Sequence, residues 1–177
     1  MKIFLLLILN LLIVTSCQSG KSEWHLIKNF DQVSKHEPFG YKSGYINQIG
    51  DTVIPLDKYV RCFTDTAIYY AIVYDKKQGL IGIDLNEKKL FNAVWDGEGS
   101  VIKESEGMIL IEENGKFGFA NYKGKTIIEP RFEYAESFRN GKARVSKGNI
   151  TRNNALEKLE INNWYFIDKN GNEIIEN

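Results

Sequence analysis

Short runs of apolar and aromatic residues, broken every few positions by Gly, Asn, Asp or Lys, fill the chain from about residue 40 to its end. Tyr69-Tyr70-Ala71-Ile72-Val73-Tyr74 stops at Asp75-Lys76-Lys77-Gln78-Gly79. Met108-Ile109-Leu110-Ile111 leads through Glu113-Asn114-Gly115-Lys116 into Phe117-Gly118-Phe119-Ala120. Side chains of this kind in runs this short suit a pleated, half-buried surface. Asn-Gly between two such runs is the strongest short-range hairpin signal. Asn140-Gly141 before Ala143-Arg144-Val145 repeats the arrangement. The pattern therefore predicts an all-β chain of successive antiparallel hairpins. Residues 148–163 break it with a long polar excursion, in which Asn153-Asn154 could cap a short helix over Ala155-Leu156-Glu157-Lys158-Leu159-Glu160. Such an insertion is either a candidate binding loop or a tolerated surface feature.

Four stretches share one grammar. Gly44-Tyr45-Ile46-Asn47-Gln48-Ile49-Gly50 precedes Thr52-Val53-Ile54-Pro55, and Gly82-Ile83-Asp84-Leu85-Asn86-Glu87-Lys88 follows. Gly118-Phe119-Ala120-Asn121-Tyr122-Lys123-Gly124 precedes Thr126-Ile127-Ile128-Glu129-Pro130, and Tyr165-Phe166-Ile167-Asp168-Lys169-Asn170-Gly171 precedes Glu173-Ile174-Ile175. A period near 36 is that of stacked supersecondary units. In each copy an apolar strand meets an Asn or Asp with a Gly or Lys nearby, and a second strand returns; Asn, Asp and Gly tolerate the positive φ of tight turns.

This phrase resembles the WG β-repeat of many bacterial proteins. The best copy runs from Lys116 through Phe117-Gly118, Gly124 and Pro130 to Val145, with phenylalanine where tryptophan is usual. In the other copies the aromatic-glycine pair becomes Ser43-Gly44, Ile81-Gly82 and Trp164-Tyr165, and the turn glycine is lost at Lys88. The resemblance implies about four degenerate repeats over residues 40–177, as an open array or a propeller-like body. Its signature positions are Gly44, Gly82, Phe117, Gly118, Gly124, Pro130, Trp164 and Gly171. The glycine after the aromatic is expected to let a neighbouring strand or ring approach closely. Tyr165 in that place implies a distorted or terminal last unit.

The other end of the chain has a different character. Lys2 precedes an apolar run from Ile3 to Val14, followed by Thr15-Ser16-Cys17 and the polar Gln18-Ser19-Gly20-Lys21-Ser22. About a dozen residues are too few for a helix to cross a hydrocarbon core of roughly 30 Å, and fit a signal segment instead. The layout resembles a bacterial lipoprotein signal. It implies cleavage after residue 16, acylation of Cys17, and a tether and N-terminal cap over 17–39, with a linker and a first strand or cap from Trp24 to Phe39. Gln18, where an aspartate often marks inner-membrane retention, favours the outer membrane if the cell has one.

Composition narrows the function classes. Lys and Arg number 23 against 23 Asp and Glu. Loss of Lys2 with the signal gives 22 − 23 = −1, which offers no basic bias for nucleic acid. The two cysteines are Cys17 and Cys62. With Cys17 acylated, Cys62 has no partner and suits a buried apolar position in Val60-Arg61-Cys62-Phe63.

Catalytic signals are sparse. His25 and His36 are the two histidines, and no Gly-x-Ser-x-Gly, phosphate-loop or His-Glu-x-x-His motif occurs. Asp96 with Glu98, Glu104 with Glu106 and Glu112 with Glu113 are the carboxylate pairs a hydrolase could recruit. Asp168-Lys169-Asn170-Gly171-Asn172-Glu173 has its glycine fourth, as a hairpin needs, rather than sixth as in a calcium loop. Asn149-Ile150-Thr151 matches a glycosylation sequon that a bacterial export route leaves unused. Trp24, near the tether, and Trp95 are the candidate ligand platforms. The expectation is thus a membrane-anchored envelope protein whose β-repeat binds a protein or cell-wall partner, with no catalysis, cofactor, metal or nucleic acid. A passive structural component and a carboxylate hydrolase are the alternatives.

Overall fold

One turn chemistry generates the architecture. At Asn47, Asp84, Asn121 and Asp168 the side-chain Oδ1 accepts from the backbone N–H four residues on, at 2.8–3.1 Å, and from that two residues on. The backbone N–H of each donates in turn to the carbonyl four residues later. The residue three on has positive φ in every case: Gly50 at 91°, Glu87 at 62°, Gly124 at 81° and Gly171 at 83°. An Asn or Asp side chain that caps its own turn explains why the sequence repeats there. Asp96 caps Glu98 and Ser100 in the same way in a connecting loop.

The computed structural model describes residues 23–29, 40–148, 150–153 and 158–175. The expected signal, Cys17, His36 and Asn149 of the sequon lie outside the described residues. Each turn closes a hairpin, and a third strand completes each unit. The first unit is β1 (Trp24–Asn29), β2 (Lys42–Ile46) and β3 (Thr52–Ile54). A connecting segment carries β4 (Arg61–Cys62) and β5 (Thr66–Ala67). The second unit is β6 (Tyr70–Asp75), β7 (Gly79–Asp84) and β8 (Lys89–Ala93), and the third is β9 (Met108–Glu113), β10 (Lys116–Asn121) and β11 (Thr126–Phe132). After β12 (Tyr134–Ala135), the fourth unit begins with β13 (Ala143–Ser146), leaves through a hairpin of β14 (Ile150–Asn153) and β15 (Lys158–Ile161), and ends with β16 (Trp164–Ile167) and β17 (Glu173–Ile174).

All pairings are antiparallel, in the orders β3-β2-β1-β5, β11-β10-β9-β8-β7-β6-β4 and β12-β13-β16-β17, with β14-β15 apart. Two-residue turns at Glu106-Gly107, Asn114-Gly115 and Asn140-Gly141 have both central residues at positive φ, as tight hairpins require. The expected helix over 155–160 is overturned: Lys158, Leu159 and Glu160 belong to β15. Pairing of Ile150 through Asn153 with Lys158 through Ile161 supplies the partners that an isolated short helix lacks.

The register reveals how alike the units are. Ile46 pairs Thr52 and Tyr45 pairs Ile54; Ile83 pairs Lys89 and Gly82 pairs Phe91; Ala120 pairs Thr126 and Phe119 pairs Ile128. Each hairpin skips one residue, Val53, Leu90 or Ile127, as a bulge that bends and twists the strand. Counted from the capping residue, Gly44 and Gly118 are equivalent, but their counterpart in the second unit is Ile81. The sequence alignment on Gly82 is therefore one residue out, and the turn glycine is replaced at Glu87 rather than Lys88. In the fourth unit Ile167 pairs Glu173 and Phe166 pairs Ile174 with no skip. There Tyr165 takes the glycine position, and β17 stops at Ile174 without reaching it.

Three core clusters fill the spaces between the four units. Trp24, Tyr45 and Ile54 pack with Ala71, Val73, Ile81 and Ile83 between the first and second. Ile72, Leu80 and Phe91 meet Ile109, Ile111 and Ala120 between the second and third. Met108, Leu110, Phe119, Ile128 and Phe132 meet Phe138, Ala143, Val145 and Ile167 between the third and fourth. Alternate residues of β6 and β9 thus serve different clusters, which is why these strands read as unbroken apolar runs. No core cluster among the described residues joins the first unit to the fourth.

Candidate functional site

The connecting segment after the first hairpin does two jobs. Arg61 and Cys62 pair with Tyr74 and Val73 on the second unit's sheet. A few residues on, Leu26 N–H donates to the Asp65 carbonyl at 2.9 Å, and Thr66 and Ala67 pair with His25 and Trp24 of the first unit. Strand alternation turns Cys62 inward, where it is 1% exposed, its N–H donating to Ser43 Oγ at 2.8 Å. Burial pushes its thiol up to about 12. Arg61 and Phe63 face the other way.

That opposite face opens onto a groove of about 490 Å³. Its wall includes Lys28, Tyr41, Arg61 and Phe63, with Lys103 and Glu104 contributed by the loop between the second and third units. The Arg61 guanidinium lies 4.8 Å from the Tyr41 ring centre and 5.1 Å from that of Phe63, and Lys28 Nζ is 5.4 Å from Tyr41. Cations held over aromatic faces at such distances gain roughly 0.5–2 kcal/mol each. Thr64 Oγ1, accepting from Ile72 N–H at 2.8 Å, and Asp65 add polar groups to the same wall. Flat apolar rings, fixed positive charge and a few polar groups are the usual lining of a ligand cleft.

The expected platforms fall differently. Trp24 is 2% exposed and packs against Tyr45 with ring centres 5.9 Å apart, so the expectation of an exposed ring is overturned. Pairing on both sides of β1 turns that ring into the first core cluster. Trp95 is half-buried against Phe63 and Tyr74, at 5.5 and 5.8 Å between ring centres, and supports the groove from behind Phe63. Trp164 is half-buried between Tyr134 at 5.6 Å and the Arg144 guanidinium at 4.4 Å.

Signature residues hold the array together and do not converge on a site. A Cβ on Gly118 would lie 2.5 Å from the Ile128 carbonyl oxygen and 2.6 Å from Pro130 N, and one on Gly44 would lie 2.3 Å from the Ile54 oxygen. Pro130, which has no N–H to offer, sits where β11 bulges opposite Gly118 between the Phe117–Phe132 and Phe119–Ile128 pairs. A Cβ on Gly82 would meet the Phe91 ring at 2.3 Å instead. Phe117 packs on Tyr134 at 5.6 Å. Gly124 abuts Leu90 of the preceding unit, and Arg131 Nη2 of the third unit donates to the Gly171 carbonyl at 2.8 Å. Glu87 makes the matching contact backward, accepting from Lys58 Nζ at 2.6 Å and Tyr59 Oη at 3.1 Å.

Each of the three carboxylate pairs has at least one member occupied as a turn cap. Asp96 serves its loop, Glu104 accepts from Gly107 N–H at 2.6 Å, and Glu112 accepts from Gly115 N–H. Gly141 N–H, donating at 2.9 Å, is the main reason Glu106 is held below its ordinary range, helped by Lys169. Asp168 is likewise lowered, chiefly by the Asn172 N–H. Its oxygens point into the turn, as the fourth-place glycine of the sequence requires. Among the described residues no three His, Cys, Asp or Glu side chains gather as a metal site.

Sequence reading missed the groove because its lining comes from residues as distant as Lys28 and Glu104. The legible hint was Arg61-Cys62-Phe63, where alternation puts a cation and a ring on one face.

No significant match to the chain is found among curated proteins or among solved structures. One family model does match, over the stretch running from the glycine-bearing strand β10 through its capped turn, the bulged β11 and the returning β13. Residues 117–149 fit the model described as WG containing repeat, and the chain carries a WG containing repeat there.

Proposed function

We propose that the chain is an exported lipoprotein, fixed to a membrane by acyl groups on Cys17, whose β-repeat is a non-enzymatic surface for binding a protein or cell-wall partner. The groove between the first two units carries the binding part of this reading. Its volume of about 490 Å³ falls in the range of roughly 300–1,000 Å³ usual for ligand clefts, and Arg61 is oriented in it by Tyr41 and Phe63. A guanidinium held by two rings has little side-chain freedom left to lose on binding. The anchoring part rests on the Lys2, Ile3–Val14 and Cys17 layout. Gln18 favours the outer membrane where the cell has one.

Absence of catalysis is part of the proposal. A carboxylate hydrolase needs one acid whose pKa is raised. Among the described residues the shifted carboxylates, Glu106 and Asp168, both move down.

The test is photo-crosslinking on intact envelopes with p-benzoylphenylalanine in place of Tyr41 or Lys103, and of Lys76 as control. A discrete adduct at the groove positions, absent at residue 76 and lost with Arg61→Glu, is the expected result. The same pattern at all three positions, or no adduct at the groove, contradicts the reading.

A further inference from the structure

The four capped turns lie on one rim of the array, and that rim is where the chain enters. Gln48 Nε2 donates to Glu23 Oε2 at 3.1 Å, placing the first turn beside the start of β1. Ala67 pairs with Trp24, so Ile68 continues past the same point on the other side of β1. Tyr69 meets Tyr122 of the third turn at 5.6 Å between ring centres. Tyr122 N–H donates to the Gly107 carbonyl, and neighbouring Glu106 takes Lys169 of the fourth turn at 3.5 Å.

This rim carries large apolar side chains that stand exposed. Ile49 is 84% exposed, Tyr122 47% and Ile68 37%. Ile49 occupies the turn position filled by Asn86, Lys123 and Asn170 in the other three units, so the turn itself does not call for isoleucine. Ile49 and Ile68 flank β1, whose neighbouring strands stand about 4.8 Å away on either side. Lys123 Nζ sits 5.6 and 5.5 Å from the Tyr69 and Tyr122 ring centres. Isoleucine, tyrosine and a lysine on its aromatic support are the residues that settle at a bilayer surface, apolar parts inward and polar tips at the headgroups.

We infer that this rim, through Ile49, Ile68 and Tyr122, rests in the headgroup layer of the membrane that anchors the protein. The inference builds on acylation of Cys17. Seven Cα steps separate Cys17 from Trp24, a reach of at most roughly 25 Å. A tether that short keeps the entry rim close to the lipid. The hairpin turns at the far rim, such as Asp75–Gly79, then face away.

The experiment uses the full acylated protein in vesicles of phosphatidylethanolamine and phosphatidylglycerol. Ile49→Cys, Ile68→Cys, Tyr122→Cys and Lys76→Cys variants carry an environment-sensitive nitrobenzoxadiazole dye. Lipids spin-labelled near the headgroup end of the acyl chain should quench at least half the emission at 49, 68 and 122 and less than a tenth at 76. Equal, weak quenching at all four sites overturns the inference. Ile49→Asp with Ile68→Asp should at least halve the quenching at 122. An unchanged value would show that the tether alone sets the distance, and would also overturn it. Acyl labelling of Cys17 in the same samples keeps the two readings apart. If it is absent the anchor fails, and the rim is then read on the same variants held by an N-terminal histidine tag to nickel-chelating lipid. There, quenching at 49 and 68 sustains the rim and its loss overturns it.

Discussion

Replacing Gly118 by alanine tests the packing logic of the repeat with a change of sign. In an ordinary strand a glycine costs roughly 0.5–1 kcal/mol relative to alanine, because it loses more backbone freedom on folding. If Gly118 had no packing role, Gly118→Ala should therefore stabilise. The geometry demands the reverse. The new Cβ would lie 2.5 Å from the Ile128 oxygen, 2.6 Å from Pro130 N and 2.8 Å from Pro130 Cα. All three are backbone atoms, so β11 must shift or its pairing with β10 must open. Overpacking of this kind costs about 1–3 kcal/mol, and a rigid backbone neighbour puts this site at the upper end. For a domain of this size about 3 kcal/mol lowers the melting temperature by roughly 10 °C. Thermal unfolding followed by far-ultraviolet circular dichroism reads the change. A melting temperature equal to or above wild type would refute the reasoning.

Other consequences can be checked in parallel. Asn121→Ala removes the acceptor for the Lys123 and Lys125 N–H groups and should cost about 1–2 kcal/mol in urea unfolding, with Asn121→Asp retaining most of it. Cys62 should resist Ellman's reagent at pH 8 until the protein unfolds. Its folded pKa is raised from 9.0 to about 12, so its contribution to stability is complete below 9 and fades as pH climbs toward 12, and Cys62→Ala should flatten that alkaline slope. Glu106 and Asp168 are shifted the other way. Their contributions are present above the ordinary values of 4.5 and 3.8 and are lost as pH falls below them, so Asp168→Asn should weaken the acid dependence of unfolding.

The hairpins were legible because each rests on chemistry local to a few residues. Asn114-Gly115 and the capping Asn47, Asp84, Asn121 and Asp168 specify their turns wherever the chain places them. The close approach at Gly118 was legible as well, since a glycine inside an apolar strand has few other uses. The bulges were not. Val53, Leu90 and Ile127 look like ordinary strand residues, and only the register with the partner strand exposes the skipped position. That skip also hid the offset between Gly82 and Ile81. Glu87 escaped notice because a non-glycine at positive φ is rare, and contacts with Lys58 and Tyr59 that compensate it lie far back in the chain. The β14–β15 hairpin read as a helix because Ala155 to Glu160 favours one locally, while the strand partner that decides the matter lies across the loop. Trp24 followed the same rule: proximity to a tether suggested exposure, whereas two neighbouring strands bury it.

The functional account depends first on the chain leaving the cytoplasm and being acylated. Intact mass spectrometry of the protein extracted from membranes tests this most directly. Removal of the first 16 of 177 residues should leave a 161-residue chain beginning at Cys17 and carrying a diacylglyceryl group, with or without a further acyl chain. A mass corresponding to the unmodified chain from Met1, or to a processed chain with a bare Cys17, would contradict it.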